Sequence, residues 1–287
     1  MNIDQKSSGN CHCFFVGQNI NVNRIFVRTQ MNTEIMNKIA FITGATSGIG
    51  KASAELFAKN GYNLIITGRR KDRLEELSNH LTSTYKIEVL PLNFDVRISK
   101  AVETAINSIP ENWKKINVLL NNAGLAAGLG TIQEGSTDDW ERMIDTNIKG
   151  LLYITRNIAP LMIHNGYGHI VNIGSIAGKE VYANGNVYCA TKHAVDALNK
   201  GMRIDLLPHN IKVTAINPGM VETEFSIVRF NGDEERAKNV YKGLEPLLPE
   251  DIAETVFWVA SRPAHVNIND IVIMPTVQAN ATTTIRK

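Results

Sequence analysis

The sequence has 287 residues, 44% of them hydrophobic, which is ample for a packed core and allows one or two domains. The formal net charge is only +2, and the Lys and Arg residues are scattered without a basic stripe, so nucleic acid is not indicated as a partner. No apolar run reaches the roughly 18 residues that a membrane-spanning helix needs.

Residues 1–35 differ from the rest of the chain in composition and hydrophobic pattern, since they are Asn-rich and show no sustained periodicity. No apolar segment follows a basic start, so a secretory signal is not expected. We predict a disordered N-terminal extension here. It is interpreted either as the product of a start codon placed too early, with Met31 and Met36 close to the first strand, or as a short arm with a partner.

Two of the three cysteines lie in Cys11-His12-Cys13, which makes no disulfide framework. A metal is not expected there, because no second cluster completes a set of four ligands. Cytoplasmic localisation is the resulting prediction.

From residue 36 onward, short β-branched runs alternate with longer helical patterns. In helix 72–83, for example, three leucines form one stripe. Continuous apolar strands suit a sheet that is buried on both faces, and the alternation implies right-handed crossovers. We therefore predict one α/β domain over 36–287, a Rossmann-like doubly wound sheet of about seven parallel strands with helices on both faces. The strands are expected near 39–43, 62–67, 87–92, 117–121, 168–173, 211–216 and 270–274.

A glycine-rich loop follows the first strand and opens a helix over 51–60, which Gly61 can end. This strand–loop–helix order is the context of a dinucleotide-binding site, where backbone N–H groups at a helix N-terminus face the pyrophosphate. An ordinary tight turn is the alternative for a glycine loop considered by itself. The predicted cofactor-binding residues in this loop are Gly44, Ala45, Thr46, Ser47, Gly48, Ile49 and Gly50.

After the second strand comes Gly68-Arg69-Arg70-Lys71, at the position where NAD sites carry an acidic residue and NADP sites an arginine. A guanidinium binds a 2′-phosphate bidentately, whereas a carboxylate would repel it. The alternative is a basic surface loop. Arg69 and Arg70 therefore predict NADP as the cofactor.

The later strands also end in polar or turn residues, and ligands of open α/β sheets bind beyond these carboxyl ends. The residues that follow the strands are thus expected to line one crevice, together with the cofactor. Asn122 is interpreted as shaping the ribose pocket or as capping a turn, and Thr223 as touching the carboxamide and pyrophosphate or as belonging to a helix N-cap. The further predicted cofactor-binding residues are Asp95, Val96, Asn122, Pro218, Gly219, Val221 and Thr223.

Tyr188 and Lys192 lie four residues apart and so share one helix face, with Ser175 thirteen residues before the tyrosine. A nearby ammonium favours phenolate, so a phenol with an ordinary pKa of about 10 can exchange a proton near neutral pH. The Ser175 hydroxyl can hydrogen-bond a substrate oxygen held against that phenol. An exposed lysine beside a half-buried tyrosine is the alternative.

Together these motifs, with Asn121-Asn122-Ala123-Gly124 and Pro218-Gly219, resemble the short-chain dehydrogenase/reductase family over residues 36–287. The resemblance implies a catalytic tetrad of Asn147, Ser175, Tyr188 and Lys192. In these roles Tyr188 is the acid/base, Lys192 also binds the nicotinamide ribose, and Asn147 holds a water in a proton path. Tyr188 and Lys192 count among the cofactor-binding residues as well.

Further motifs resemble one subgroup, the bacterial NADP-dependent 3-hydroxy acid dehydrogenases that act on serine, allo-threonine or malonic semialdehyde. They include Gly68-Arg69-Arg70, Glu224-Phe225-Ser226 and Val228-Arg229-Phe230. The implied activity is NADP-dependent interconversion of a small 3-hydroxy acid and its semialdehyde or oxo acid. Reduction of another carbonyl class (3-ketoacyl thioester or sugar) and a non-catalytic dinucleotide sensor are the alternatives.

The substrate is expected to contact Ser175 and Tyr188 and to place its carboxylate on Arg229, in a lid over 224–243. A tyrosine such as Tyr182 is the alternative partner for the carboxylate.

Helices predicted near 137–164 and 188–207 carry more apolar residues than one sheet face can cover. With the resemblance, this implies a homotetramer. The alternative is that loops of the same chain cover the apolar residues that the sheet does not bury.

Overall fold

A seven-stranded parallel sheet in the order β3-β2-β1-β4-β5-β6-β7 forms the centre of the molecule. The computed structural model describes residues 38–287, so the predicted extension 1–35 and its Cys11-His12-Cys13 cluster lie outside the described residues. Each predicted strand is present within two residues of its expected bounds, and the predicted fold class is confirmed. The strands are β1 (Ile39–Ile42), β2 (Asn63–Gly68), β3 (Val89–Asn93), β4 (Ile116–Asn121), β5 (Gly168–Ile173), β6 (Ile211–Pro218) and β7 (Asp270–Ile273).

Helices cover both faces of the sheet, as continuous apolar strands require. Successive strand residues point to opposite faces, so Leu120 packs in one core cluster and Leu119 in the other, and both are fully buried. The helices of the described chain are α1 (Gly48–Lys59), α2 (Lys71–Tyr85), α3 (Ser99–Asn107), α4 (Thr137–Ile144), α5 (Leu151–Asn165), α6 (Asn186–Asp205), α7 (Phe225–Arg229), α8 (Glu234–Tyr241) and α9 (Pro249–Ala260).

Helix α2 buries the predicted leucine stripe, with Leu74, Leu77 and Leu81 all at most 5% exposed. Helix α1 ends at Lys59, and Gly61 follows it with a φ of 78°, as the sequence indicates. It begins at Gly48, three residues earlier than predicted, because its first turn is formed by the end of the glycine loop.

The helix predicted over 137–164 is present, but it is not α-helical throughout. Between α4 and α5 the chain forms a π-helical segment, Asp145–Gly150. Such segments insert extra residues into a helical turn and occur often at functional sites. Here the segment places Asn147, one of the predicted tetrad residues, in the protein interior at 2% exposure.

From β1 the chain adds β2 and β3 on one side of the sheet, and it then adds β4 to β7 on the other side. The strand order therefore switches between β1 and β4. The carboxyl edge at such a switch point is where open α/β sheets bind ligands. Among residues 38–287, no helix is sufficiently long and apolar to cross a membrane. The same residues contain no group of three or more His, Cys, Asp or Glu side chains that could hold a metal ion.

Candidate active site

A crevice of about 340 Å³ opens along the carboxyl edge of the sheet, within the range typical of small-molecule sites. Most of the residues predicted from the sequence line it. They are Gly44, Thr46, Ser47, Gly48, Ile49, Arg69, Arg70, Asp95, Val96, Asn122, Ser175, Tyr188, Lys192, Pro218, Gly219, Val221 and Thr223. Ala45, Gly50, Asn147 and Arg229 do not line this crevice.

The glycine loop has little room for side chains. A Cβ at Gly50 would lie 2.3 Å from the Gly44 carbonyl oxygen, and Gly44 itself has a φ of 65°. Ser47, the N-cap of α1, makes no side-chain capping hydrogen bond, so N–H groups at this helix N-terminus remain available to an anion. Gly50 thus serves close packing within the loop, while Gly44 and Gly48 line the crevice.

Asn122 braces the glycine loop from the end of β4. Its side-chain amide donates to the Thr43 carbonyl (2.9 Å) and to the Gly44 carbonyl (3.2 Å). The Thr43 hydroxyl in turn accepts from the backbone N–H groups of Asn122 and Ala123. Asn122 therefore lines the crevice, where a ribose pocket was predicted, and its side chain also holds the glycine loop in place.

Beyond β2, Arg70 forms a network that the sequence did not indicate. Its guanidinium donates to the Glu224 carboxylate at 2.8 Å and to the hydroxyls of Thr46 (3.1 Å) and Ser47 (2.9 Å). Arg73, on α2, donates to the other oxygen of Glu224 at 2.8 Å. Arg73 could have been proposed from its spacing of three residues after Arg70, whereas Glu224 lies 154 residues away in the sequence.

Arg69 points to the other side of this loop. Its side chain is 56% exposed and lies 3.9 Å from the Asp95 carboxylate. Asp95 is bound more closely by Arg97, at 2.6 Å, an interaction that was not predicted. Burial opposes ionisation of Asp95, but its hydrogen bonds and attraction to Arg97 outweigh this and lower its pKa. Asp95 is therefore a fixed anion on the wall of the crevice.

Tyr188 and Lys192 lie on one face of α6, as their spacing predicts, and both are buried. The Lys192 ammonium donates to the Ile173 carbonyl at 2.9 Å and lies 6.0 Å from the centre of the Tyr188 ring. The Ser175 hydroxyl accepts from the Ala177 N–H at 3.1 Å, which caps the short turn Ile176–Gly178 and fixes the serine at the end of β5. The three groups thus meet at one end of the crevice.

The pKa values of Tyr188 and Lys192 differ from the expectation that the lysine lowers the pKa of the phenol. Burial raises the pKa of the Tyr188 phenol, and this effect outweighs the lowering by the Ser175 hydrogen bond and by the charge of Arg229. Burial also lowers the pKa of Lys192 to about 8. The predicted depression of the Tyr188 pKa by Lys192 is therefore not seen in this structure, because desolvation is the largest effect on each group.

Asn147 reaches the site through its amide. The Nδ2 group donates to the Leu125 carbonyl (2.8 Å) and to the Thr191 hydroxyl (3.0 Å), while Oδ1 accepts from the Leu125 N–H (2.9 Å). Thr191 lies between Tyr188 and Lys192 on α6. The amide therefore ties the π-helical segment both to α6 and to the loop after β4.

Arg229 also lies near the Tyr188 ring, with its guanidinium carbon 5.6 Å from the ring centre. It donates to the Tyr182 hydroxyl at 2.9 Å, so the two candidate partners for a substrate carboxylate are in contact. Arg229 lines a second cavity of about 110 Å³, and Tyr188 lines both cavities. Arg229 therefore lies in a cavity beside the main crevice, and Tyr188 is shared by the two.

Comparison with known proteins agrees with this arrangement. Residues 38–233 match the family model described as short chain dehydrogenase. The chain is 49% identical to the NADP-dependent 3-hydroxy acid dehydrogenase YdfG of Salmonella typhi, covering 85% of this chain and 97% of that protein. It is 46% identical to the protein of the same name from Escherichia coli K12, with the same coverage.

Among solved structures, the chain resembles the closed form of serine dehydrogenase complexed with NADP⁺, with a TM-score of 0.81 and 45% identity over 87% of this chain and 99% of that one. The glycine loop, the crevice at the switch point and these similarities lead to one conclusion. The chain belongs to the short-chain dehydrogenase family.

Proposed function

We propose that the chain is an NADP-dependent oxidoreductase that interconverts a small 3-hydroxy acid, of the serine, allo-threonine or 3-hydroxypropionate type, and its semialdehyde or oxo acid. The observation that carries this proposal is the position of Tyr188, which lines the crevice together with Ser175 and Lys192 and also lines the neighbouring cavity together with Arg229. Similarity to proteins named 3-hydroxy acid dehydrogenase and serine dehydrogenase supports the substrate class.

The residues of the crevice fit NADP. The free N–H groups of the glycine loop suit a pyrophosphate, and the arginines after β2 suit a 2′-phosphate. When bound, NADP supplies or accepts the hydride. In our proposal the loop residues 44–50 and those after β6 hold the cofactor, and Asp95, Val96 and Asn122 line its pocket.

We assign the proton transfer to the tetrad of Asn147, Ser175, Tyr188 and Lys192. Tyr188 exchanges a proton with the substrate oxygen, and Ser175 hydrogen-bonds that oxygen and orients it. Lys192 provides positive charge beside the phenol and a donor for the nicotinamide ribose. A Cβ at Gly124 would lie 3.3 Å from Asn147 Oδ1 and 3.7 Å from Lys192 Nζ, so these two groups flank one glycine, which supports a proton path between them.

Arg229 is proposed to bind the substrate carboxylate, with Tyr182 as its neighbour. Its guanidinium supplies bidentate donors close to the phenol, as a short acid with its hydroxyl on C3 requires. A carboxylate entering here would replace the Tyr182 hydroxyl on one guanidinium nitrogen.

Steady-state assays with paired alcohols test this proposal. We expect NADP⁺ reduction with serine, allo-threonine and 3-hydroxypropionate, and much slower reduction with ethanolamine and 1-propanol, which lack the carboxylate. The same assays with NAD⁺ test the cofactor. Turnover of a 3-ketoacyl thioester or a sugar in preference to these acids would favour another carbonyl class. NADPH binding without turnover of any of them would favour the sensor.

We also propose a homotetramer. The structure buries four of the apolar residues in α5 and α6, Leu151, Ile154, Ile158 and Val195, but leaves Leu152 38% exposed. Other apolar side chains stay exposed, with Ile204 at 74% and Leu207 at 73%. Light scattering at micromolar concentration should give about four chain masses, and a monodisperse species of one chain mass would contradict the proposal.

The remaining proposals concern the whole chain. We infer that residues 36–287 act as one domain in the cytoplasm. The single sheet of the described residues supports the inference of one domain.

A further inference from the structure

One carboxylate lies between two arginines at the place where the sequence predicts the 2′-phosphate. Glu224 accepts from Arg70 through one oxygen and from Arg73 through the other, each at 2.8 Å. Glu224 and Arg70 both line the cofactor crevice. Two guanidinium groups that converge on separate oxygens of one anion form a geometry that also suits a phosphate group.

The donors of Arg70 are already in use in this arrangement. One terminal nitrogen donates to Glu224, and the other donates to the side chains of Thr46 and Ser47. The nitrogen that holds Thr46 and Ser47 stays with the glycine loop, so a phosphate that binds Arg70 through the other nitrogen competes with Glu224 for it. Release of Glu224 is feasible, because its side chain is 42% exposed and water can solvate it.

The charge of Glu224 persists at neutral pH. The hydrogen bond from Arg70 is the largest of the effects that hold the pKa of the Glu224 carboxyl below its usual range, and Arg73 adds to it. The arginines are thus balanced by an internal anion rather than free to attract small anions from solution.

We propose that Glu224 is a specificity-determining residue that competes with the cofactor 2′-phosphate for Arg70 and Arg73. The inference rests on the proposed NADP dependence. A bound phosphate group carries about two negative charges and three acceptor oxygens, so it can replace one carboxylate on the two arginines. The 2′-hydroxyl of NAD is neutral and cannot, so Glu224 stays paired when NAD binds. Glu224 therefore lowers the affinity for 2′-phosphorylated ligands selectively.

Binding of four ligands to a Glu224→Gln variant tests the proposal. Glutamine keeps the shape and one acceptor oxygen but removes the charge. Calorimetric titration should show adenosine 2′-monophosphate and NADPH binding about three- to tenfold more tightly than to wild type, the range expected from half-exposed ion pairs. Adenosine 5′-monophosphate and NADH should bind within about twofold of wild type, since neither has a 2′-phosphate.

Glu222→Gln is the matched control, because it removes the same charge two residues away and makes no ion pair with these arginines. It should leave all four affinities unchanged. An equal gain with Glu222→Gln, an equal gain for NADH, or an unchanged or weaker affinity of Glu224→Gln for NADPH would each overturn the inference. Glu224→Ala repeats the test with a shorter side chain if the glutamine variant folds poorly.

Failure of the proposed function gives a different result. If wild type shows no measurable affinity for NADPH, the NADP dependence is wrong. If wild type binds NADPH and the Glu224 variants bind it no more tightly, only the competition is wrong.

Discussion

Replacement of Tyr188 by phenylalanine is expected to lower the turnover number by about 10²–10⁴-fold, the usual contribution of general acid/base catalysis. The ring of the variant still fills the space between Phe225 and Arg229, so the fold and the affinity for NADPH should persist. Stopped-flow or steady-state rates with a 3-hydroxy acid, together with an NADPH titration, measure the two effects separately.

Tyr167→Phe serves as the control, because this tyrosine is 40% exposed and does not line the crevice. It should keep wild-type rates. If Tyr188→Phe retained more than about a tenth of the activity, the phenol would not be the acid/base.

Replacement of Asn147 by leucine should be the most destabilising of the substitutions considered. The side chain is nearly isosteric but leaves the Leu125 N–H and C=O without their partners in a buried region. At about 1–3 kcal/mol for each of these two groups, the free energy of unfolding should fall by about 2–6 kcal/mol. Denaturant unfolding measures this loss, and activity should fall with it because Tyr188 and Lys192 lose an anchor.

Asn157→Leu offers a matched comparison on α5. Its amide bonds only the Tyr153 carbonyl of the same helix, so its loss should cost less than about 1 kcal/mol. Equal losses for the two variants would mean that the contacts of Asn147 with Leu125 and Thr191 contribute no special stability.

The sheet could be predicted because its signals are local. Continuous apolar strands such as β4 require burial on both faces, and the glycine loop can be read from consecutive residues. The positions of Ser175, Tyr188 and Lys192 followed for the same reason, since strand ends and helix periodicity fix where side chains emerge.

Other features of the site depend on contacts between distant residues. The pairing of Arg70 with Glu224 spans 154 residues, and the location of Arg229 in a second cavity depends on how the segment after β6 folds back. The raised pKa of Tyr188 also escaped prediction, because spacing indicates which charge is near but not how completely water is excluded.

The π-helical segment has a consequence for how this gene can vary. Loss of a single codon within 145–150 would convert the segment toward a regular α-helix, since it removes the one residue that widens the turn. The flanking turns of α4 and α5 would keep their relative orientation, because the widened turn accommodates the extra residue. The chain would, however, lose the turn that brings Asn147 to Leu125 and Thr191. A one-codon deletion here should therefore cost mainly the contacts of Asn147, whereas the same deletion in the middle of a regular α-helix would rotate one half of that helix against the other by roughly 100°.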